Sequence, residues 1–255
     1  MSSPLLEVEA LSMRFGGLLA VDSVGFALQP REVFAIIGPN GAGKTTVFNC
    51  ISGFYPPSAG RIALAGHSIA GMGSHNVARR GVVRTFQNVR LFKSMTALEN
   101  LLVAQHRQMR TSFLAGLFNT AGYRRAEQEA LDNALHWLDY MGLRAYANRP
   151  AGNLPYGHQR RLEIARCMIT RPQVLMLDEP AAGLNPQEKK DLQLLIDKLR
   201  QQHGVAVLLI EHDMGLVMGV SERILVMEYG KPIATGTPEA IRNDERVIKA
   251  YLGEA

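Results

Sequence analysis

Cysteine is nearly absent from this sequence: Cys50 and Cys167 are the only two in 255 residues. Two thiols cannot build a disulfide framework, and a reducing compartment is expected. Neither lies in a Cys-x-x-Cys or Cys/His cluster, so no zinc site is expected. Long apolar runs are missing too. The best candidate, Val205 to Ile210, falls far short of the ~20 residues a membrane-spanning helix needs. Met1 to Ala10 carry Glu7 and Glu9 and no basic stretch, so no secretory signal is expected there. No internal repeat, low-complexity tract or sustained heptad occurs. What remains is globular: 47% hydrophobic residues are too many for a disordered chain and enough for a sizeable core.

Acidic residues are scarce in one region. Between Asn76 and Arg125, nine basic residues (Arg79, Arg80, Arg84, Arg90, Lys93, Arg107, Arg110, Arg124, Arg125) face only Glu99, so this stretch outweighs the chain's net charge of +5. It reads either as a contact surface for an anionic partner or as a solvated helical face.

The patterning alternates between strands and helices. Leu6, Val8 and Ala10 alternate with polar residues, and Val21 to Leu28 is β-rich. Val33-Phe-Ala-Ile-Ile37 is a short, wholly apolar run, as a buried central strand requires. A helix over Val47 to Ser52 and a strand over Arg61 to Leu64 follow, separated by the turn cluster 55–60. The middle reads as helical, over Met95 to His106 and Arg124 to Met141, and again after Gly157. Val174 to Leu177 reads as a strand, Gln187 to Gln202 as a helix, and Val205 to Ile210 as a strand, the size of one βαβ crossover. The expected fold is α/β: a parallel core sheet, an antiparallel β start and a helical insertion at about 88–165 within one domain spanning 1–255.

Gly38-Pro39-Asn40-Gly41-Ala42-Gly43-Lys44-Thr45 fits GxxxxGK[ST] and sits between a strand and a helix, the context a phosphate loop needs. Its glycines let backbone N–H groups converge on phosphate oxygens, and the helix N-terminus, with Thr46 behind it, adds its positive end. Lys44 would reach the β- and γ-phosphates, and Thr45 would ligate Mg²⁺. The strand Val174 to Leu177 delivers Asp178 and Glu179 at its C-terminal edge, where α/β sheets bind ligands. Asp178 would hold Mg²⁺ through its water shell, and Glu179 would polarise a water for attack on the γ-phosphate. A phosphate loop alone leaves kinases, GTPases and RecA-like motors open.

Leu154-Pro155-Tyr156-Gly157-His158-Gln159 narrows the choice. Upstream of the Asp-Glu strand and at a helix start, it resembles the LSGGQ-like signature of the ATP-binding cassette (ABC) family. The order Phe15, 38–45, Gln87, 154–159, Asp178-Glu179, His212 is also similar to that family over essentially the whole chain. The resemblance implies further roles. Phe15 would stack on adenine, although a core phenylalanine would look the same. Gln87 would sense the metal and the attacking water, and His212 would contact the γ-phosphate. The signature would act on ATP held by a partner subunit. Two positions depart from the pattern: Pro155 replaces the signature serine, removing a hydroxyl and an N–H, and Asn185 replaces an aspartate in Ala181-Ala-Gly-Leu-Asn185-Pro.

Finer wording, in residues 15–21, 81–92, 99–106 and 250–255, is similar to the ATP-binding subunits of bacterial branched-chain amino-acid importers. That implies an ATP hydrolase on the cytoplasmic face of the inner membrane. Its partners would be two permease subunits, a second, paralogous ATP-binding subunit and, indirectly, a periplasmic solute-binding protein. Urea/amide importers and lipopolysaccharide exporters use similar ATPases, and non-transport ABC ATPases form the competing class. Those usually carry a long coiled coil or a second cassette, and neither is present here. The basic stretch lacks interleaved aromatics, so no nucleic-acid partner is expected. Leu91, Phe92 and the apolar run 113–118, rimmed by Arg107, Arg110, Arg124 and Arg125, would dock the permease and face its acidic loops or anionic lipid.

Overall fold

A computed structural model describes residues 3–105 and 120–252. It divides into two compact units, Met1–Gln87 with Gln173–Ala255, and Asn88–Pro172.

The first unit holds both sheets. The antiparallel one has the order β2-β1-β4-β5, from β1 (Leu6–Phe15), β2 (Leu18–Leu28), β4 (Ala59–Leu64) and β5 (His67–Ser68). The larger has the order β10-β9-β3-β8-β7-β6, from β3 (Val33–Ile37), β6 (Val82–Arg84), β7 (Val174–Asp178), β8 (Ala206–Ile210), β9 (Arg223–Glu228) and β10 (Lys231–Gly236). Every pairing from β9 to β6 is parallel; only β10 runs antiparallel to its neighbour. β3, β7 and β8 are buried at all five positions each. This explains their unbroken apolar sequences: parallel strands are covered on both faces, and each large apolar side chain so buried contributes roughly 1.5–3 kcal/mol.

Helices α1 (Lys44–Ile51) and α2 (Ser74–Arg80) belong to this unit, as do α6 (Pro186–His203), α7 (Met214–Val220), α8 (Pro238–Arg242) and α9 (Glu245–Leu252). α6 connects the parallel neighbours β7 and β8 as a βαβ crossover. Its buried Leu192, Leu195, Ile196 and Leu199 recur at i, i+3, i+4 and i+7, one face of a helix. Gly204 ends it in the left-handed conformation at φ 67°.

The second unit comprises α3 (Ala97–Gln105), α4 (Ala121–Tyr140) and α5 (Tyr156–Met168), with two short 3₁₀ turns before α5. α4 buries Ala130, Ala134, Trp137 and Leu138, and its Thr120 cap accepts a hydrogen bond from the Tyr123 N–H. The two helices anticipated around 95–106 and 124–141 are therefore present with shifted ends. Arg107, Arg110 and the apolar run 113–118 lie outside the described residues.

Candidate active site

The parallel strands β6, β3, β8 and β7 all end at the same edge of the sheet, so the loops that follow them converge. Four sequence-expected features sit in these loops: Gln87 after β6, residues 38–43 after β3, Glu179 after β7 and His212 after β8.

Glycine is required at two points of the loop after β3. Gly38 has φ 145°, and a Cβ there would lie 2.0 Å from the Met227 carbonyl oxygen. Gly43, the cap of α1, has φ 95°, and its Cβ would lie 2.6 Å from the Ala20 oxygen. No side chain caps α1, so its first-turn N–H groups stay open to an anion. The buried Lys44 ammonium donates to the carbonyls of Gly38 (2.6 Å) and Pro39 (2.8 Å). Burial pulls Lys44 below the usual lysine value, and the Glu179 carboxylate opposes that pull. The loop opens onto a cavity of about 360 Å³, lined by residues 18–20, 40–46, 229–230 and Glu179. Phe15 is not part of that lining; its ring packs edge-on against Tyr55, 5.3 Å between centroids.

Glu179 joins two of the other expected residues. Its Oε2 accepts from Gln87 Nε2 at 2.9 Å and lies 3.8 Å from His212 Nδ1, and its backbone has the left-handed φ of 45°. Asp178, at the end of β7, is buried and pairs at 2.6 Å with Arg84. The Arg84 guanidinium also donates to Asn49 Oδ1 (2.7 Å) and lies within 6.0 Å of the rings of Phe48, Phe54 and Phe86. The Asp178 N–H donates to Thr85 Oγ1 (3.3 Å). Thr45, Gln87 and Asp178, the residues expected around a metal, offer a donor set that includes only hydroxyl, amide and carboxylate oxygens. Such donors suit Mg²⁺, which keeps most of its water shell and needs few protein ligands.

Two contributors were not anticipated from sequence. Arg84 is one. Glu211 is the other: buried at 1% exposure, it accepts from the N–H groups of Ala181 (2.7 Å), His212 (2.9 Å) and Asp213 (3.1 Å). One carboxylate thereby fixes both the loop after Glu179 and the loop carrying His212. The available signal was an acid at the end of an apolar strand, directly before His212.

The signature-like segment belongs to the second unit. Pro155 is the N-cap of α5 with φ −53°, and no side chain caps that helix. Leu154 and Gly157 are buried, Pro155 and Tyr156 exposed, and Gln159 Nε2 donates to the Leu154 carbonyl at 2.8 Å. In the same unit Phe92 is 49% exposed with the Arg166 guanidinium 5.4 Å from its ring, and Arg124 and Arg125 are exposed. Asn185 has a plain local role: it caps α6 in a reciprocal capping box with Glu188, at 2.9 Å in both directions. Asparagine and aspartate are nearly equivalent there. Burial raises the Cys50 thiol to about 11 and the Cys167 thiol to about 12, so neither is an activated nucleophile.

Comparison with known proteins extends this picture. Residues 21–182 match the family model described as ABC transporter, and residues 231–255 match that of the branched-chain amino acid ATP-binding cassette transporter. The chain is 64% identical over its full length, and that of the relative, to the high-affinity branched-chain amino acid transport ATP-binding protein BraF of Pseudomonas aeruginosa. It is 61% identical, again over all of both chains, to LivG of Escherichia coli, which bears the same description. Among solved structures, the ADP conformation of MJ1267, an ATP-binding cassette of an ABC transporter, superimposes with a TM-score of 0.86 at 32% identity, covering 99% of this chain and 100% of the other.

Proposed function

This chain belongs to the ABC transporter family, and from that premise we propose that it is the ATP-hydrolysing subunit of an importer for branched-chain amino acids. The observation that carries the reading is likeness along the entire chain, including the segment 231–255 that matches the branched-chain amino acid transporter model. In this reading residues 1–255 form one cassette with a helical insertion.

The site supports the following division of labour. Residues 38–46 wrap the phosphates with backbone N–H groups and the open N-terminus of α1. Lys44 spends two of its three N–H donors on the Gly38 and Pro39 carbonyls, which aims the third at a phosphate oxygen. Thr45, Gln87 and Asp178 would hold Mg²⁺, which when bound neutralises phosphate charge. Glu179 orients and polarises the attacking water, Gln87 holds Glu179 in place, and His212 stands beside it to contact the γ-phosphate. Phe15 is the proposed adenine platform. Residues 154–159 act across an interface: the uncapped N-terminus of α5 offers its N–H groups to ATP held by a second, paralogous subunit. Leu91 and Phe92 are proposed to line the permease groove, and the exposed Arg124 and Arg125 to face its acidic loops or anionic lipid. The chain is then a peripheral subunit on the cytoplasmic side of the inner membrane, and no described helix is long and apolar enough to cross it. A solute-binding protein takes part only through the permease.

The test is Glu179→Gln in the complete transporter. ATP binding should persist while steady-state hydrolysis falls roughly 10²-fold or more, as loss of a general base does. Undiminished hydrolysis would remove Glu179 from this role.

A further inference from the structure

A phosphate loop recognises the charged end of a nucleotide and nothing beyond it. The sugar and base must leave along the remaining walls of the cavity, and those walls are residues 18–20 and the turn between β9 and β10. That turn is fastened to the loop itself. The Gly230 N–H donates to the Ala42 carbonyl at 3.1 Å, and the Gly230 carbonyl accepts from the Asp22 N–H at 2.8 Å. Gly230 has φ 81°, and a Cβ there would meet the Ala20 oxygen at 2.9 Å, so the turn cannot back away without losing its fit to β2. Lys231 adds an ion pair with Asp22 at 3.4 Å.

Tyr229 precedes this glycine. It holds the left-handed φ of 45°, which is unfavourable for a residue with a bulky side chain, yet the side chain is 87% exposed. An aromatic that buries almost nothing adds little to the stability of the fold; its φ, with the 81° of Gly230, is what the two-residue hairpin turn between the paired Glu228 and Lys231 requires, so the hairpin accounts for the backbone and leaves the ring without a packing role. It is also the only aromatic side chain among the described residues lining the cavity.

We propose that Tyr229 is a nucleotide-binding residue, its ring packing against the sugar–base half of ATP while residues 38–45 hold the phosphates. This rests on the phosphate-loop reading above. It adds to the proposed Phe15 platform a second contact with the sugar–base half, from a turn 185 residues downstream of Lys44. The turn is pinned at Gly230, so the Tyr229 backbone is held at a fixed height relative to the loop.

Calorimetric titration of the full chain with Mg-ATP and, separately, with Mg-tripolyphosphate tests this on wild type, Tyr229→Ala, Tyr229→Phe and Lys44→Ala. Tyr229→Ala should weaken ATP about tenfold, the effect of losing one aromatic–base contact, and leave tripolyphosphate within about twofold of wild type. Tyr229→Phe should bind ATP like wild type. Wild-type ATP affinity in Tyr229→Ala overturns the proposal. So does an equal loss of ATP and tripolyphosphate, which would make Tyr229 a prop for the loop. A loss in Tyr229→Phe matching that in Tyr229→Ala overturns the assignment to the ring. Lys44→Ala reports on the premise: unchanged affinity for both ligands there would sink the phosphate-loop reading, whatever the Tyr229 variants do.

Discussion

Arg84 and Asp178 hold opposite charges 2.6 Å apart, with both side chains only 6% exposed. Removing one partner of such a pair leaves the other buried without its counter-charge, which costs about 3–5 kcal/mol. Arg84→Met should therefore lower the urea midpoint of unfolding by that equivalent with an unchanged m-value; an unaltered midpoint would contradict the assignment. Asp213 predicts a pH dependence. The Lys189 ammonium, hydrogen-bonded at 2.5 Å, and then the Leu216 N–H hold this carboxyl below its ordinary value of 3.8. Its folded-state value lies below its unfolded one, so its contribution is complete above about pH 3.8 and drains away as pH falls through the lowered value. Lys189 is raised above 10.5, so its share is intact below that value and lost above it. Asp213→Asn keeps an oxygen to cap α7 but drops the charge. Melting curves should show a small, constant deficit at neutral pH that closes below about pH 4. A deficit that persists unchanged to pH 2 would place the effect in packing.

At the scale of elements, α5 begins at a proline with no hydroxyl to cap it. Pro155→Ser supplies a cap worth about 0.5–1 kcal/mol and gives up some stiffness of the unfolded chain, two effects that nearly offset. The variant should melt within a few degrees of wild type and preserve or raise ATP turnover in the assembled transporter. A large loss of turnover with intact assembly would mean that proline's rigidity matters more than the missing donor. The elements legible in the sequence were those with self-contained signals: β3, β7 and β8 as unbroken apolar runs, α6 by its periodicity. α2 and the short strands β5 and β6 carried no such signal; β6 has three residues and exists because β7 offers its edge. The site divides in the same way. Residues 38–45 are contiguous and can be read directly. The approach of Gln87, Glu179 and His212 depends on strand order, which residue spacing does not encode. Arg84 meets Asp178 across 94 positions, and Tyr229 reads as an ordinary exposed turn residue. Asn185, where the family pattern has aspartate, caps α6, a local role that either residue fills.

At the scale of the whole molecule, the groups proposed to act on ATP are divided between a phosphate loop in one unit and a signature-like helix start in the other, and the proposed reaction needs the second from another subunit. The isolated chain should therefore bind ATP but hydrolyse it slowly, gaining activity when its paralogous partner and the permeases are added. Full hydrolysis, linear in protein concentration, by the isolated chain would contradict this. The sheet order carries a consequence of a different kind, for synthesis. β3 launches the phosphate loop, but its two neighbours are β8 and β9, roughly 170 residues later in the chain. At about 5–20 residues per second, a strand with five apolar residues and two unsatisfied edges waits on the order of ten seconds for its partners to leave the ribosome. Translation order thus leaves a wholly apolar strand beside the candidate site without its sheet neighbours until late in synthesis, and a messenger cut short before β8 would yield a chain that chaperones can shelter but never complete.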